Sequence, residues 1–407
     1  MRHILTPFLM LCLTGLTARL GYQIARSPVL PQFAKDLGAA PELIGLILGA
    51  STITGVFIKL PAGALSDVLG RRRMLLLGGL FFAVPPFLYL AISNPYLLLS
   101  LRFLHGFATA VFSPVASAAV ADLFERNRGE RLGWFASFNE LGSAIAPIVG
   151  GLLLTATHND YQVIYFIIGA IGVVTLLLAL LLPVGKPTVA QATPLQGQRW
   201  RQFTQGIAEV LSNRSILAAS GAESAMFFGV GTLVGFLPLY ATQEAGLNNS
   251  QVGVILGAQL IVAMGSKPLT GRLSDRLGRK PMILAGLLLC TALLPVIPLT
   301  RTLALLTAEG ALFGLGMAIV TPSTTALVTD LSKAGGYGAA LGVFGTIWDV
   351  GEALGPIVAG ALIGAFAASG NAYALPFALV AAVMAMATLG FFLLVRDISP
   401  KPSSKGQ

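Results

Sequence analysis

Charge is what this chain has least of: 26 Lys and Arg with 17 Asp and Glu amount to 11% of 407 residues, against roughly 25% in a soluble domain. A water-facing globule of that size cannot be covered by so few charges, so the soluble classes are excluded. In hydrocarbon each charge costs on the order of 3 kcal/mol, which gives the shortage a cause. Cysteine is scarce as well. Cys12 and Cys290 both lie in apolar runs and supply neither a disulfide framework nor a metal set. With three histidines there is no His-rich metal site, and no Ser-His-Asp set occurs in a usable context. Gly70 and the three arginines after it lack the strand–loop–helix setting that a phosphate cradle needs. Neither an enzyme, nor ATP use, nor a cofactor is expected. No extramembrane stretch is long enough for a separate soluble domain, which argues against a receptor or sensor. The net charge of +9 does not point to nucleic acid, because the basic residues punctuate apolar runs instead of forming one patch.

What is abundant is hydrophobic sequence: 55% of residues, with a mean hydropathy of +0.80. A helix needs about 20 residues to cross roughly 30 Å of hydrocarbon. Apolar runs of that kind fall near 5–29, 42–65, 73–93, 95–121, 132–156 and 160–183, then near 215–242, 251–273, 281–299, 303–328, 338–366 and 372–395. The expectation is an all-α integral membrane protein of 12 transmembrane helices in two six-helix bundles. The bundles occupy 1–183 and 215–395, with a polar linker over 184–214 and a tail over 396–407. The N-terminal run imitates a signal peptide but shows no convincing cleavage site, and it reads as the first span. Lys and Arg concentrate in the termini, the linker and the even-numbered turns: Arg71–Arg73, Arg126, Arg128 and Arg131, Arg272, Arg276, Arg279 and Lys280, and Lys333. By the positive-inside bias this places both termini in the cytoplasm of an inner (plasma) membrane protein.

The two halves repeat each other. A constant shift carries Gly45 onto Gly253, Lys59 onto Lys267, Gly63 onto Gly271, Asp67 onto Asp275, Gly70 onto Gly278 and Arg71 onto Arg279. One further residue of shift carries Gly133, Gly142, Pro147 and Gly151 onto Gly342, Gly351, Pro356 and Gly360. Repeats in the same topology imply a pseudo-twofold axis along the membrane normal and a central cavity whose access alternates as the halves rock.

On these residues the sequence resembles the major facilitator superfamily along essentially its whole length. The loop Gly63, Asp67, Gly70, Arg71, Arg72 and its copy Gly271, Asp275, Gly278, Arg279, Lys280 match the signature between the family's second and third helices. Arg102 to Gly106 is similar to its buried-arginine motif. Gly133, Gly142, Pro147, Gly150 and Gly151 resemble the motif of the 12-helix drug:proton antiporters, with Ala146 departing from the usual glycine. The resemblance implies that Asp67 meets the start of the eleventh helix, around Gly338 to Gly342, and Asp275 the start of the fifth near Gly133. A carboxylate at a helix N-terminus is worth about 0.3–2 kcal/mol. Such contacts would form only when that face is closed.

The glycines Gly142 and Gly150, and Gly351 and Gly355, fall on single faces of their helices, where small residues permit close approach in lipid. Pro147 and Pro356 are expected to bend those helices. The ionisable residues inside the spans are Arg19, Arg102, Glu140, Glu223, Glu309, Asp349 and Glu352, with His105 three residues from Arg102. Intramembrane charges by default line a cavity or pair with one another, and a permanent structural ion pair is an equally open reading of any single acid. Burial disfavours ionisation of a carboxyl and a nearby guanidinium favours it, and that competition suits a proton site. The order of preference is Glu223, Glu309, Asp349, Glu140, Glu352. Lys59 and Lys267, near helix ends, are expected to snorkel. Arg102 and Glu309, at equivalent depths of the fourth and tenth helices, are both placed at the cavity. His105 is open to a relay or a packing role. Tyr22, Phe107, Phe112, Phe227, Phe228, Phe236 and Tyr240 are candidate cavity aromatics. The function expected is proton-coupled efflux of small organic or drug-like compounds, the partners being solute, protons and the lipid bilayer, with a monomer as the working unit. An importer, a sugar exporter or a lipid-linked transporter of the same fold is the alternative.

Overall fold

The computed structural model describes residues 2–124, 127–182, 208, 212–332, 337–369 and 372–395. The tail and nearly all of the linker therefore lie outside the described residues. Among those described, twelve helices are long and apolar enough to cross a membrane. They are α1 (Thr6–Asp36), α2 (Pro41–Leu69), α3 (Arg71–Ala91), α4 (Pro95–Leu123), α5 (Arg128–Ala156) and α6 (Tyr161–Leu181). The second six are α7 (Arg214–Gln243), α8 (Asn249–Leu277), α9 (Arg279–Leu299), α10 (Leu303–Leu331), α11 (Ala340–Ala365) and α12 (Ala374–Leu394). The first span runs longer than its apolar run suggests. It breaks after Arg26 and resumes at Val29–Asp36, a segment with six of its eight residues buried.

Polar residues set where the helices begin. Asn94, Asp160 and Asn213 accept hydrogen bonds from the first-turn amides of α4, α6 and α7, and Asn248 with Gln251 makes a reciprocal capping box on α8. Gly70 and Gly278 turn the chain sharply between α2 and α3 and between α8 and α9. Their φ angles of 91° and 100° lie where a Cβ is disfavoured, which accounts for glycine in both copies.

The apolar core shows how the halves meet. The face carrying the start of α1 and the ends of α6 and α12 is here called the terminal face, the opposite one the distal face. One buried cluster crosses from half to half near the distal face, joining Leu30, Ile47 and Leu48 with Phe236, Leu237 and Ile363. Towards the terminal face the core divides in two. Leu11, Leu75, Phe112 and Val115 pack within the first bundle, and Ile216, Ile283, Leu327 and Phe391 within the second. The bundles are joined at one face and splayed at the other.

Backbone approach explains the distal seam. A Cβ at Gly253 in α8 would fall 2.5 Å from the Pro147 carbonyl oxygen of α5, and a Cβ at Gly45 in α2 would strike the Pro356 carbonyl of α11. Packing that close is available only to glycine, and it holds helices together where lipid supplies little hydrophobic drive. Hydrogen bonds reinforce it. Ser27 donates to Val234 O at 3.0 Å, Gln32 to Pro238 O at 3.2 Å, and Ser250 Oγ lies 2.7 Å from Thr155 Oγ1.

Candidate functional site

The loop motifs bind their own bundles. Arg71 pairs with Asp67 at 2.6 Å and with Asp122 at 2.9 Å, and it donates to Ser66 Oγ. Its copy Arg279 pairs with Asp275 at 2.5 Å and Asp330 at 3.3 Å. Arg72 donates to the Leu180 carbonyl at 3.2 Å, and Lys280 lies over the Phe392 ring. The expected meeting of Asp275 with the start of α5 is not made, because the Asp275 side chain is 63% exposed and nothing lies within 4 Å of a Cβ at Gly133. Gly342 is equally open. These two glycines therefore serve no helix interface in this conformation: the bundles are apart at this face. The remaining glycines are engaged. Gly142 and Gly150 lie against α1, Gly351 and Gly355 against α7, while Gly151 and Gly360 reach across to α8 and α2. Pro147 and Pro356 lie inside their helices, beside these crossings.

Lys59 and Lys267 correct the expectation of snorkelling. Lys59 Nζ of α2 lies 2.5 Å from Asp349 Oδ2 of α11, and Lys267 Nζ of α8 lies 2.6 Å from Glu140 Oε1 of α5. Each lysine reaches across the bundle boundary because α2 packs on α11 and α8 on α5, which gives it a carboxylate nearer than the lipid interface. The pairs are copies under the internal repeat, with roles exchanged between the halves. They are unequal: Asp349 is 7% exposed, Glu140 39%. A third cross-bundle pair, Arg26 with Glu352 at 2.6 Å, lies nearer the distal face. Among the described residues no cross-bundle ion pair lies closer to the terminal face than the two lysine bridges.

The other ionisable groups separate by bundle. Arg102 is not at a cavity. It is fully buried in the first bundle, its guanidinium 5.0 Å from the Tyr22 ring centre and 3.5 Å from His105 Nδ1. Two of its nitrogens, Nε and Nη2, have no hydrogen-bond partner among the described residues. His105 is buried beside it, with Tyr89 Oη 3.3 Å away, within aromatic packing that includes Tyr165 stacked on Tyr89. Glu223 is fully buried in the second bundle. Its Oε2 accepts from Thr324 Oγ1 at 2.6 Å, and its Oε1 has no hydrogen-bond partner among the described residues. Glu309 accepts from Thr300 at 2.7 Å near the distal end of α10, so the structure does not bring it to Arg102. Arg19 is half-buried and donates to Ser113 Oγ at 3.3 Å.

Most candidate aromatics are core residues. Phe112, Phe228, Phe236 and Tyr240 are buried, Phe107 stacks on Phe81, and Tyr22 lies under Arg102. Phe112 faces inward within the first bundle, while Phe228, Phe236 and Tyr240 belong to the core cluster that crosses between the halves. Phe227 stays partly exposed against Trp348, a residue the sequence did not single out.

A bundle pair joined at one face, with charges bridging the boundary at mid-depth, is the architecture of a carrier. The family model of the Major Facilitator Superfamily matches residues 11–248 and again 219–407. The chain belongs to the Major Facilitator Superfamily. It is a multi-pass membrane transport protein of that superfamily. An uncharacterized MFS-type transporter of Methanocaldococcus jannaschii is 25% identical over 86% of this chain and 89% of its own length. Multidrug resistance protein 1 of Bacillus subtilis is 25% identical, and quinolone resistance protein NorA of Staphylococcus aureus (strain COL) 20%, each over 82% of this chain and 84% of the relative. Among solved structures, an inward-facing bacterial homolog of the human lysosomal transporter Spinster superposes with a TM-score of 0.80 at 15% identity, covering 96% of both chains. A variant of the nucleoside transporter NupG gives 0.80 at 14%, covering 96% of this chain and all of that one. At such identities the structures speak for the fold alone.

Proposed function

We propose that this superfamily member is a proton-coupled exporter of small organic compounds, set in the plasma (inner) membrane with both termini cytoplasmic. The observation that carries the reading is the two-ended seam: a joined core at the distal face, a divided core at the terminal face, and lysine–carboxylate bridges where one becomes the other. With the positive-inside bias, the open face is the cytoplasmic one and the state is inward-facing. Outward opening must then break the bridges Lys59–Asp349 and Lys267–Glu140 and close the face where Asp67 and Asp275 lie. The names of the bacillary and staphylococcal relatives support drug-like solutes and export.

Glu223 is the proton carrier in this scheme. A carboxyl enclosed by protein, with one oxygen tied to Thr324 and the other free, has room for one proton and, among the described residues, no cation at ion-pair distance to oppose its loading. Purified protein in liposomes with an imposed pH gradient tests the scheme. Gradient-driven solute flux with accompanying proton flux is expected, and Glu223→Gln is expected to leave downhill exchange while removing uphill transport. A Glu223→Gln protein that still accumulates solute would defeat the assignment. Joining Thr155→Cys to Ser250→Cys by a disulfide at the distal seam is expected to stop transport until reduced; transport through the locked seam would defeat alternating access.

A further inference from the structure

We infer that Arg19 is the docking point for an anionic group, a carboxylate or a phosphate, on the transported solute. The inference rests on the transporter reading above and adds a substrate chemistry to it. Arg19 and Arg26 lie two turns apart on one face of α1, Arg26 reaching Glu352 of α11 and Arg19 reaching Ser113 of α4. Arg26 closes on Glu352 at 2.6 Å, and Lys59 of the neighbouring α2 closes on Asp349 at 2.5 Å. Both acids act electrostatically on Arg19, yet each is already engaged by another cation. The cluster between α1, α2 and α11 therefore holds three cations against two carboxylates. Arg19 is the one left over.

Its guanidinium has five N–H donors, and the hydrogen bond to Ser113 Oγ is the one it makes among the described residues. It is half-buried, at the depth of the lysine bridges, where the seam ends and the divided core begins. A partly desolvated guanidinium without an acid is an unbalanced charge. Its planar fork is shaped to take two oxygens of a carboxylate or phosphate together. A solute anion arriving from the open face would balance the cluster, whereas a solute cation would meet a net positive charge. Phe227 and Trp348, packed at 4.5 Å on α7 and α11 and both partly exposed, give an apolar body a surface to rest on.

The test uses full-length protein in detergent and four isosteric probes: 1-naphthoate, 1-naphthyl phosphate, 1-naphthamide and 1-naphthylmethylammonium, with lysophosphatidate as a lipid arm. Affinity is read from ligand-induced thermal shifts. At least one anion is expected to bind about tenfold tighter than the amide and the ammonium, the range of a hydrogen bond to a charged group. Arg19→Gln is expected to erase that preference and Arg19→Lys to keep part of it. Preference confined to lysophosphatidate would assign the anion to a lipid headgroup; preference for the naphthyl anions would assign it to a soluble solute. No anion bound by the native protein, equal binding of the ammonium probe, or a preference that survives in Arg19→Gln overturns the inference. Without ligand, Arg19→Gln is expected to melt no lower than the native chain, because no acid loses its partner, while Arg26→Gln melts lower. A marked drop for Arg19→Gln would make it a structural residue and overturn the inference as well. Liposome flux separates the two readings. Proton-driven export of a cationic solute that is indifferent to Arg19→Gln keeps the exporter and removes the anion site. Arg19-dependent anion binding without gradient-driven flux does the reverse.

Discussion

Where the first bundle buries the guanidinium of Arg102, the internal repeat puts Gly310 in the second; where the second buries the carboxylate of Glu223, the repeat puts Gly15 in the first. Each half thus encloses an ionisable residue that the other lacks, and neither has an ion-pair partner among the described residues. The glycines, the turn motifs and the bridging lysines repeat, but these two residues do not. In the proposed scheme the symmetric parts build a hinge that works from either side. In the proposed scheme the unsymmetric ones give the two bundles different work, with a buried acid in one alone letting a single proton bias the rocking. Arg102 is packed among Tyr22, Tyr89 and His105.

The largest effect expected from breaking this asymmetry is at Glu223. With a gradient of two pH units, exchange of one proton per solute sustains about hundredfold accumulation, since each unit is worth about 1.36 kcal/mol. Glu223→Gln should bring the ratio to one in liposomes while downhill counterflow continues. Next come the bridges, which sharpen the symmetric side of the comparison. Lys59→Gln leaves Asp349 unpaired at 7% exposure. Discounted for the half-exposed lysine, the loss is about 1–2 kcal/mol, a roughly five- to thirtyfold shift away from the distal-closed state. It would be read as faster labelling of a Ser250→Cys reporter by a membrane-impermeant thiol reagent. Lys267→Gln frees the more exposed Glu140 and should shift the same reporter less than about fivefold. Equal effects would mean that burial does not set their strength. Asp67→Asn acts on the opposite face and with the opposite sign. Losing a contribution of about 0.3–1 kcal/mol at a helix start favours the present conformation, so Ser250→Cys labelling should slow by a few-fold at most. Arg102→Met is the smallest. With no acid orphaned, thermal unfolding in detergent should change by less than about 1 kcal/mol, whereas breaking a buried ion pair costs about 3–5 kcal/mol.

Several of these residues are legible in the amino-acid chain alone. Glu223 and Asp349 stand out because an acid inside an apolar run needs a reason to be there, and Asp67 and Asp275 because their surroundings are duplicated. Others are not. Lys59 and Lys267 read as snorkelling cations, since each stands within two turns of the end of its apolar run; their partners lie across a boundary that no local pattern marks. Phe112, Phe236 and Tyr240 read as cavity aromatics, because an all-apolar helix gives no periodicity to say which side faces protein, lipid or an opening. Trp348 carries no distinguishing signal for the same reason.

Hydropathy, the repeat and the placement of Lys and Arg determined the class, the helix count and the pseudo-symmetry, because burying backbone and charge in lipid leaves a chain few ways to comply. Only the tertiary structure decided which face is open, which charges pair across the bundles and that Arg19 has no acid at ion-pair distance among the described residues. Those depend on the packing of helices that are distant in sequence, where half a turn of rotation exchanges a lipid contact for an ion pair.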